Sequence, residues 1–505
     1  MDVLQQLLYG FEVVLTPENL MAALIGCLAG TMVGVLPGLG PTAGAAVLLP
    51  LTFTMGPVAG LIMIASIYYG VQYGGSLTSV LLNIPGETSS IMTTIDGYQL
   101  TRQGRAGAAL FIVTIGSFIA ATISVILVSF IGPPVASFAM GFGPPEFLAL
   151  AVVGLLFLVR IMGGSLASGL IPMVIGLALG TIGMDAVSGT SRLQFGIPAL
   201  AAGMDVVAVA VGVFGIAEVM RLVADEGRLP RAQKVRMRDL RPSREELRRS
   251  WAPWGRGTIT GFIFGLLPGP GPTISTFISY KLEKVFSKNR HLLGKGAIEG
   301  VASPEAANNA AATSGMIPLL ALGMPFTPVL ALMVAAMMVQ GVTPGPLLAT
   351  QRPDIFWGVI ASMYIGNVVL VVLNLPLIGV WVRLLQVPRS LLVPVITVVS
   401  IVGTYALNSS MLDVMVLLVA GVLGYVLTNY GYHLAPLALG LILGPFAERY
   451  LREGLFISQG DLTYFFTSPI AMGLWILLVG GLVLQTTMGA RARRQGRELV
   501  EVVAE

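Results

Sequence analysis

Long uncharged apolar runs are the feature of this sequence that most restricts its fold. Residues 106–131 and 472–490 contain no charged side chain. Each run is long enough for a helix that crosses the hydrocarbon core of a bilayer, which takes about 20 residues. Only 11% of the 505 residues are charged, whereas soluble domains are about a quarter charged. The sequence therefore predicts an all-α polytopic membrane protein.

Basic residues are concentrated in segments that predict the orientation. No Lys or Arg precedes Arg102, whereas residues 221–256 carry eleven basic and five acidic side chains. The C-terminal tail, RARRQGRE, is also basic. Short basic loops stay on the cytoplasmic side of a membrane. We therefore predict a cytoplasmic basic linker, a cytoplasmic C-terminus and an N-terminus on the outer side.

A Gly/Pro-rich phrase occurs twice, as GVLPGLGPT at 34–42 and as GLLPGPGPT at 265–273. About a dozen apolar residues flank the second copy on each side, between two basic segments, which is half the length that crosses a bilayer. This pattern predicts a re-entrant hairpin that enters from the cytoplasm. The first copy has no basic flank and predicts the mirror image. LLNIPGE (81–87) and LALGMPF (320–326) likewise predict one broken helix in each half, so the halves read as inverted-topology repeats.

These patterns predict the organisation of the chain. Residues 1–222 form the first inverted transmembrane repeat, 223–256 the basic cytoplasmic linker, 257–488 the second repeat and 489–505 the cytoplasmic tail. Together the two repeats give about 11 crossings plus two hairpins. The plain spans are expected near 106–132, 146–161, 163–183, 199–222, 356–382, 391–407, 411–428, 434–447 and 467–488.

The Gly/Pro tips are candidates for binding a substrate or an ion. A helix that restarts at membrane depth presents free N–H groups that hold a carboxylate, and the preceding carbonyl groups can ligate Na⁺. The alternative is that these residues only make tight turns and close helix packing. Because the Gly/Pro phrase occurs twice, in segments predicted to have opposite orientations, we favour a binding site over simple turns. The candidates are Gly38, Gly40, Pro41, Thr42, Gly269, Gly271, Pro272 and Thr273.

The broken helices and the segment ASPEAANNAA (302–311) supply further candidates. Polar side chains at membrane depth face a bundle interior or a pathway. Glu305 and the neighbouring asparagines either face such a pathway or belong to an interfacial segment in which asparagines bridge helices, and both interpretations stay open. The candidates are Asn83, Pro85, Gly86, Glu87, Thr88, Ser89, Asn308, Asn309, Gly323, Pro325 and Thr327.

Two enzyme classes and nucleic-acid binding are disfavoured by the sequence. Two histidines, one cysteine and no metal-spaced cluster argue against a membrane enzyme. The sequence contains no GxxxxGK[ST] loop, so it predicts no ATP motor. A net charge of +4 gives no nucleic-acid signal. We expect no cofactor, with Na⁺ or H⁺ as the coupling ion.

Several long motifs resemble, in the same order, those of the large membrane subunit of the tripartite tricarboxylate transporters. They are GVLPGLGPTAG, YGGSLTSVLLNIPGE with DGYQLTRQGRAG, GLALGTIGMDAVSG, GLLPGPGPTIS and GKGAIEGVASPEAANNAA. This nearly full-length resemblance implies a carboxylate importer of the bacterial inner membrane that is driven by an ion gradient. It also implies a small membrane subunit and a periplasmic solute-binding protein that delivers a small di- or tricarboxylate. In such a membrane, the outer-side N-terminus predicted from the charges is periplasmic.

The sequence departs from the resembling family at both helix breaks. Glu87 and the three residues that follow it stand where the family has a small neutral stretch, and Phe326 stands where the second break usually reads GIPG. Both changes would alter the cavity. Two alternatives to the binding-protein-dependent carrier remain at this point: a stand-alone secondary carrier, and a non-transporting membrane scaffold or channel subunit.

Overall fold

The computed structural model describes residues 2–36, 40–162, 166–185, 189–224, 235, 239–385 and 387–494. The prediction of an all-helical fold is confirmed across these ranges, apart from one short antiparallel pair of strands, β1 (Gly183–Met184) and β2 (Ser191–Arg192). Gly38 lies outside the described residues.

Twenty-one α-helices are present in the described ranges. Those of the first half are α1 (Val3–Val14), α2 (Pro17–Val35), α3 (Gly40–Thr52), α4 (Pro57–Leu82), α5 (Ile91–Arg102), α6 (Ala106–Ala139), α7 (Pro144–Met162), α8 (Leu166–Gly180), α9 (Val206–Ala210) and α10 (Ala217–Ala224). Those of the second half are α11 (Arg244–Leu266), α12 (Gly271–Phe286), α13 (Glu299–Ser314), α14 (Pro328–Val339), α15 (Leu348–Gln351), α16 (Pro353–Asn374), α17 (Ile378–Leu384), α18 (Arg389–Asn408), α19 (Met411–Asn429), α20 (Ala435–Ile457) and α21 (Pro469–Arg494).

Six helical stretches within the described ranges are long and apolar enough to cross a membrane. They are Pro17–Val35, Ala106–Ala139, Val206–Ala224, Pro353–Asn374, Ser390–Asn408 and Met411–Asn429. Shorter apolar helical stretches are also present, among them parts of α7, α8 and α21, at Pro144–Phe157, Ala167–Gly180 and Pro469–Gly481. The total of about 11 crossings stays a prediction.

Three predicted spans differ most from the structure. The predicted span 434–447 is too short, because α20 continues to Ile457. The predicted span 356–382 is divided, because α16 ends at Asn374 and a separate helix, α17, follows. Pro376 explains the break, since proline has no backbone N–H to continue the helical hydrogen bonds and its ring clashes with the preceding turn. The predicted span 199–222 becomes α-helical only at Val206, after a 3₁₀ turn at Pro198–Ala202.

The basic linker ends inside a helix. α11 begins at Arg244, where Ser243 and Glu246 form a reciprocal capping box. Arg105 also pairs with Glu246. Partial burial disfavours the charged form of this carboxyl group, but hydrogen bonds from the Ser243 N–H and from Arg105 outweigh it and hold the pKa of Glu246 below its usual value.

The chain forms two compact units. The first unit comprises Met1–Ala136, Val207–Leu267 and Gly271–Val426, and the second comprises Ser137–Val206, Pro268–Pro270 and Leu427–Glu505. In the second unit, α20 packs against α7 and α8. The second unit also contains a cluster of two carboxylates and two guanidinium groups that form ion pairs with one another. Its members are Asp185, Arg192, Glu448 and Arg452.

Helix α4 lies in the core of the first unit and is buried continuously from Ala59 to Leu82. An apolar helix that is buried all round needs close neighbours, and α2 supplies one with a stripe of glycines. A Cβ atom built on Gly30 would lie 2.3 Å from the Ile67 carbonyl oxygen. The three glycines of the stripe meet the backbone of successive turns of α4 in the pairs Gly26–Met63, Gly30–Ile67 and Gly34–Val71.

Helix α11 packs against α13 through a second stripe with the same spacing. A Cβ atom built on Gly261 would lie 2.2 Å from the Ala307 carbonyl oxygen. The contacting pairs are Gly257–Ser303, Gly261–Ala307 and Gly265–Ala311. Small residues at every fourth position let helix backbones approach closely, so these stripes fix the positions of α4 and α13. α4 ends at the first break, and a π-helical segment, Pro318–Leu322, follows α13 and ends at the second.

Three carboxylates hold α13 and the loop before it. Asp96 of α5 accepts hydrogen bonds from the backbone N–H groups of Gly294, Gly296 and Ala297, each at 2.8 to 2.9 Å. Glu299 pairs in two-point fashion with Arg249, and Glu283 with Arg256. These contacts join α5, α11, α12 and α13 within the first unit.

Candidate functional site

The break after α4 follows from its local sequence. Asn83 adopts the left-handed conformation, with φ of 59°, which Asn tolerates better than most residues. Pro85 then prevents the helix from resuming at once. The backbone is extended at Glu87, with φ of −152°, and a 3₁₀ turn at Thr88–Ser90 leads directly into α5.

The break after α13 has the same construction. Gly323 adopts the left-handed conformation, with φ of 72°, and Pro325 follows it by two residues. The Thr327 hydroxyl then accepts a hydrogen bond from the Leu330 N–H at 3.4 Å and caps α14. Gly323 follows Asn83 by 240 residues, and both residues adopt the same left-handed conformation.

Both Gly/Pro phrases end where a helix begins. Gly40, with φ of 50°, starts α3, and Gly271 starts α12. Pro41 and Pro272 are buried in the first turns of these helices, while Thr42 and Thr273 are half-buried. Gly269 has φ of 127°, a conformation that favours glycine.

Elements of both halves meet at the first break. The Asn308 amide of α13 donates a hydrogen bond to the Glu87 carboxylate at 3.3 Å. The Thr88 hydroxyl lies 2.8 Å from that of Thr273. A Cβ atom built on Gly40 would lie 3.2 Å from the Gly86 carbonyl oxygen. The starts of α3 and α12 and the middle of α13 therefore converge on residues 86–88.

A second contact between the halves mirrors the first. The Tyr68 hydroxyl of α4 lies beside Thr327 and near Glu87. Asn308 follows Tyr68 by 240 residues, and Thr327 follows Glu87 by the same 240. The two contacts, Glu87–Asn308 and Thr327–Tyr68, thus join positions that are related by the same offset of 240 residues.

The first break has accessible surface although its surroundings are buried. Asn83, Pro85 and Thr88 are exposed and Glu87 is half-buried, while Ser89 is buried. Ser89 lies beside the Glu87 carboxylate but outside hydrogen-bonding geometry. Polar and extended backbone between apolar helices is tolerated where it lines a cavity, so this break has the character of a binding site.

Several predicted residues are not part of this cluster. Asn309 faces the other way from Asn308 and donates to the Ser117 hydroxyl of α6 at 2.8 Å. Gly323 packs against Pro344, and Gly271 against Phe264. Gly269 belongs to the second unit, and Pro325 is buried in the second break.

Sequence reasoning missed the partners of one carboxylate. Glu305 is 0% exposed and lies in the interior of α13, not at its N-terminus. The hydroxyl groups of Ser76 and Thr93 donate to it at 2.6 and 2.5 Å. Single hydroxyls in apolar helices are common, so neither residue stands out in the sequence. Tyr68, for which the sequence favours aromatic packing over a pathway lining, also lies beside residues of both breaks.

The chemistry available at this cluster is that of oxygen and amide groups. Within the described ranges, no group of three or more His, Cys, Asp and Glu residues could hold a metal ion. Hydroxyls, carbonyls and one carboxylate suit a small hard cation such as Na⁺, and amide and helix N–H groups suit a carboxylate.

Comparison with known proteins gives concordant results. The model of a family described as "Tripartite tricarboxylate transporter TctA family" matches residues 20–439. An uncharacterized 52.8 kDa protein of the TAR-I ttuC' 3' region of Agrobacterium vitis is 49% identical over 494 residues, which is 98% of either chain. An uncharacterized protein of the TAR-II ttuC' 3' region of the same organism is 50% identical over 234 residues, 46% of this chain and 97% of that relative. No solved structure matches the chain.

Proposed function

Because this chain belongs to the tripartite tricarboxylate transporter TctA family, we propose that it moves a small di- or tricarboxylate through the bacterial inner membrane in a binding-protein-dependent secondary transporter. As a member of this family, the chain is a multi-pass membrane component of a transporter and not an enzyme. Its proposed companions are a small membrane subunit and a periplasmic solute-binding protein, and a gradient of Na⁺ or H⁺ supplies the driving force.

The proposed transport path lies between two inverted repeats. The glycine stripes support this arrangement: Gly257 follows Gly26 by 231 residues, while their contacts Ser303 and Met63 are 240 apart. The exchanged contacts at the two breaks support a two-fold relation. The charge distribution favours an axis in the membrane plane, because the flanks of the second phrase are basic and those of the first are not.

The convergence of both halves on residues 86–88 is the observation that carries the proposed substrate site. The free N–H groups at the starts of α3 and α12 would hold the carboxylates. Thr88, Thr273 and Asn308 would add hydrogen bonds, together with Thr42 on the first-half side. An accessible cluster at repeat-derived breaks is where secondary transporters bind substrate.

Glu87 gives this site a requirement for a cation. Two ionised carboxylates side by side repel each other, more strongly where water is scarce. A carboxylate substrate and an ionised Glu87 therefore share the site only when Na⁺ or a proton accompanies them. This dependence would link uptake of the substrate to uptake of the coupling ion.

Two isosteric variants on one helix test the substrate site. Thr273→Val removes the hydroxyl that meets Thr88, whereas Thr276→Val removes one that bonds only to the Thr273 carbonyl of its own helix, at 2.8 Å. We expect Thr273→Val to lower uptake of [¹⁴C]citrate or [¹⁴C]succinate roughly five- to tenfold, since one hydrogen bond is worth about 1 kcal/mol. Thr276→Val should transport like the wild type.

The measurement uses right-side-out vesicles from cells that express the complete transporter, with surface amounts matched by immunoblot. Equal uptake by the two variants would remove the substrate site from this cluster. Absence of uptake of both acids by the wild-type chain under every imposed ion gradient would contradict the carboxylate function itself.

A further inference from the structure

Glu305 is a buried carboxylate that the proposed substrate site does not use. It is 0% exposed, and its two oxygens accept hydrogen bonds from Ser76 of α4 and Thr93 of α5. No Lys, Arg or His pairs with it in the part of the chain that the structure describes. Burying an ionised carboxylate without a cation is costly, so this group needs either a proton or a companion charge.

The Ser76 hydroxyl is placed to serve both protonation states of Glu305. It lies 2.6 Å from the Glu305 carboxylate and 3.2 Å from the Gln72 carbonyl oxygen. A hydroxyl has one proton to donate and can accept as well. With Glu305 ionised, Ser76 donates to the carboxylate. With Glu305 protonated, the acid donates to Ser76, and Ser76 donates to Gln72, so no heavy atom has to move.

We infer that Glu305 carries a coupling proton, with Ser76 as the hydroxyl that adapts to its loss and gain. The inference rests on the proposed transport function and names its coupling ion. The step is a simple acid dissociation: the O–H bond of Glu305 breaks, the electron pair stays on the carboxylate, and the proton leaves to water. Rebinding reverses each part.

The surrounding charges give this proton a link to the substrate. Two titratable side chains face Glu305, namely Tyr73 of α4 and Glu87 at the break. On the other elements packed against α13, the buried carboxylates Asp96, Glu283 and Glu299 are satisfied by backbone N–H groups or by Arg249 and Arg256. Negative charge added beside Glu87 would disfavour ionisation of Glu305. Binding of a carboxylate substrate should therefore favour proton uptake, which is the sign that symport requires.

A polar pocket lies against the stretch of α13 that carries Glu305. Its polar lining comes from α4, α6, α13 and α16 and consists of Tyr73, Thr114, Ser117, Asn309 and Asn367. Asn309 also donates to the backbone carbonyl of Glu305 at 3.0 Å. The Asn367 amide nitrogen is buried and has no hydrogen-bond partner among the described residues. A water molecule needs such polar partners in a buried site, so the pocket is suited to hold water one helical turn from Glu305.

The proton coupling is tested by accumulation at steady state. Vesicles with the complete transporter are loaded without Na⁺, the membrane potential is clamped with K⁺ and valinomycin, and [¹⁴C]citrate accumulation is followed against an imposed pH difference. One coupled proton makes the accumulation ratio change about tenfold per pH unit. The variant Glu305→Gln should lack this factor, whereas an unchanged response would overturn the inference.

A wild-type chain that accumulates citrate with a Na⁺ gradient and ignores the pH difference would also overturn the inference, yet leave the proposed function intact. Failure of the wild type to accumulate any carboxylate under either gradient would contradict the proposed function instead.

A second measurement does not depend on transport. Infrared spectra of the purified chain, recorded as differences between two pH values, should show the carbonyl band of a protonated carboxylic acid. Glu305→Gln should lose this band. Glu283→Gln removes an equally buried carboxylate that pairs with Arg256, and it should keep the band. The same band in wild type and Glu305→Gln, or its absence from the wild type, would overturn the inference.

Discussion

A single methyl group on Gly261 should separate two helices and disable the site. The Cβ atom of Gly261→Ala would lie 2.2 Å from the Ala307 carbonyl oxygen and 2.8 Å from the Ala310 Cβ. These two atoms are a backbone oxygen and a Cβ atom, so no flexible side chain can rotate away to make room. Since nonbonded carbon contacts are about 3.5 Å, α11 and α13 must move apart by about 1 Å or more.

The displacement reaches the site directly. Asn308 follows Ala307, and its hydrogen bond to Glu87 is already 3.3 Å long. A shift of about 1 Å would break it, and such misplacement of a binding group can lower a rate about a hundredfold. Overpacking of this kind also costs about 1 to 3 kcal/mol of stability, so the apparent melting temperature in detergent should fall as well.

Matched variants separate helix displacement from the mere addition of a methyl group. Gly255 lies on the same helix, and a Cβ atom added to it would have nothing within 4 Å, so Gly255→Ala should keep uptake and gain helix propensity of about 1 kcal/mol. Gly30→Ala places a Cβ atom 2.3 Å from the Ile67 carbonyl oxygen, one residue before Tyr68. It should lower [¹⁴C]citrate uptake as Gly261→Ala does.

Uptake by Gly261→Ala at the level of Gly255→Ala, with equal amounts in the membrane, would refute the reasoning. It would mean that the position of α13 does not control the site. A loss in Gly261→Ala together with normal uptake in Gly30→Ala would refute the equivalence of the two glycine stripes.

Three further outcomes are expected. Cysteine at position 5 should react with an impermeant reagent from the periplasm and cysteine at position 240 only from the cytoplasm; reaction of both from one side would contradict the inverted topology. Gly269→Leu should insert in the membrane yet lose uptake, because φ of 127° strains a side-chain-bearing residue by about 1 to 3 kcal/mol, and normal uptake would reduce this tip to a tolerant turn. Glu87→Gln should shift the dependence of uptake on pH or Na⁺, and unchanged dependence on both would make Glu87 a solvated bystander.

The sequence alone determined which long runs are helical, where two helices break and where two of them restart. Each of these is a local matter. The uncharged run at 106–131 is long enough to span a bilayer and is indeed helical. Asn83 and Gly323 favour the left-handed turn, and a proline two residues later keeps the chain extended. The family motifs are likewise local strings, so the family could be recognised before any contact was known.

Some local signals were nevertheless misjudged. The predicted span 356–382 ran through Pro376, where the helix ends at Asn374. Gly/Pro content alone did not tell which tip residues would meet the polar groups of the other half. Gly271 proved to pack on the preceding helix, while Thr273, two residues later, reaches Thr88.

Only the tertiary structure decided which side chains meet. Asn308 and Asn309 are adjacent and chemically identical, yet one reaches Glu87, 221 residues away, and the other reaches Ser117 on α6. Glu305 finds Ser76 and Thr93 on two different helices. Successive residues of a helix point about 100° apart, so their partners depend on how the helix is rotated against its neighbours. That rotation is set by backbone contacts such as Gly261 on Ala307, which join segments far apart in the chain and leave no mark in the local sequence around either asparagine.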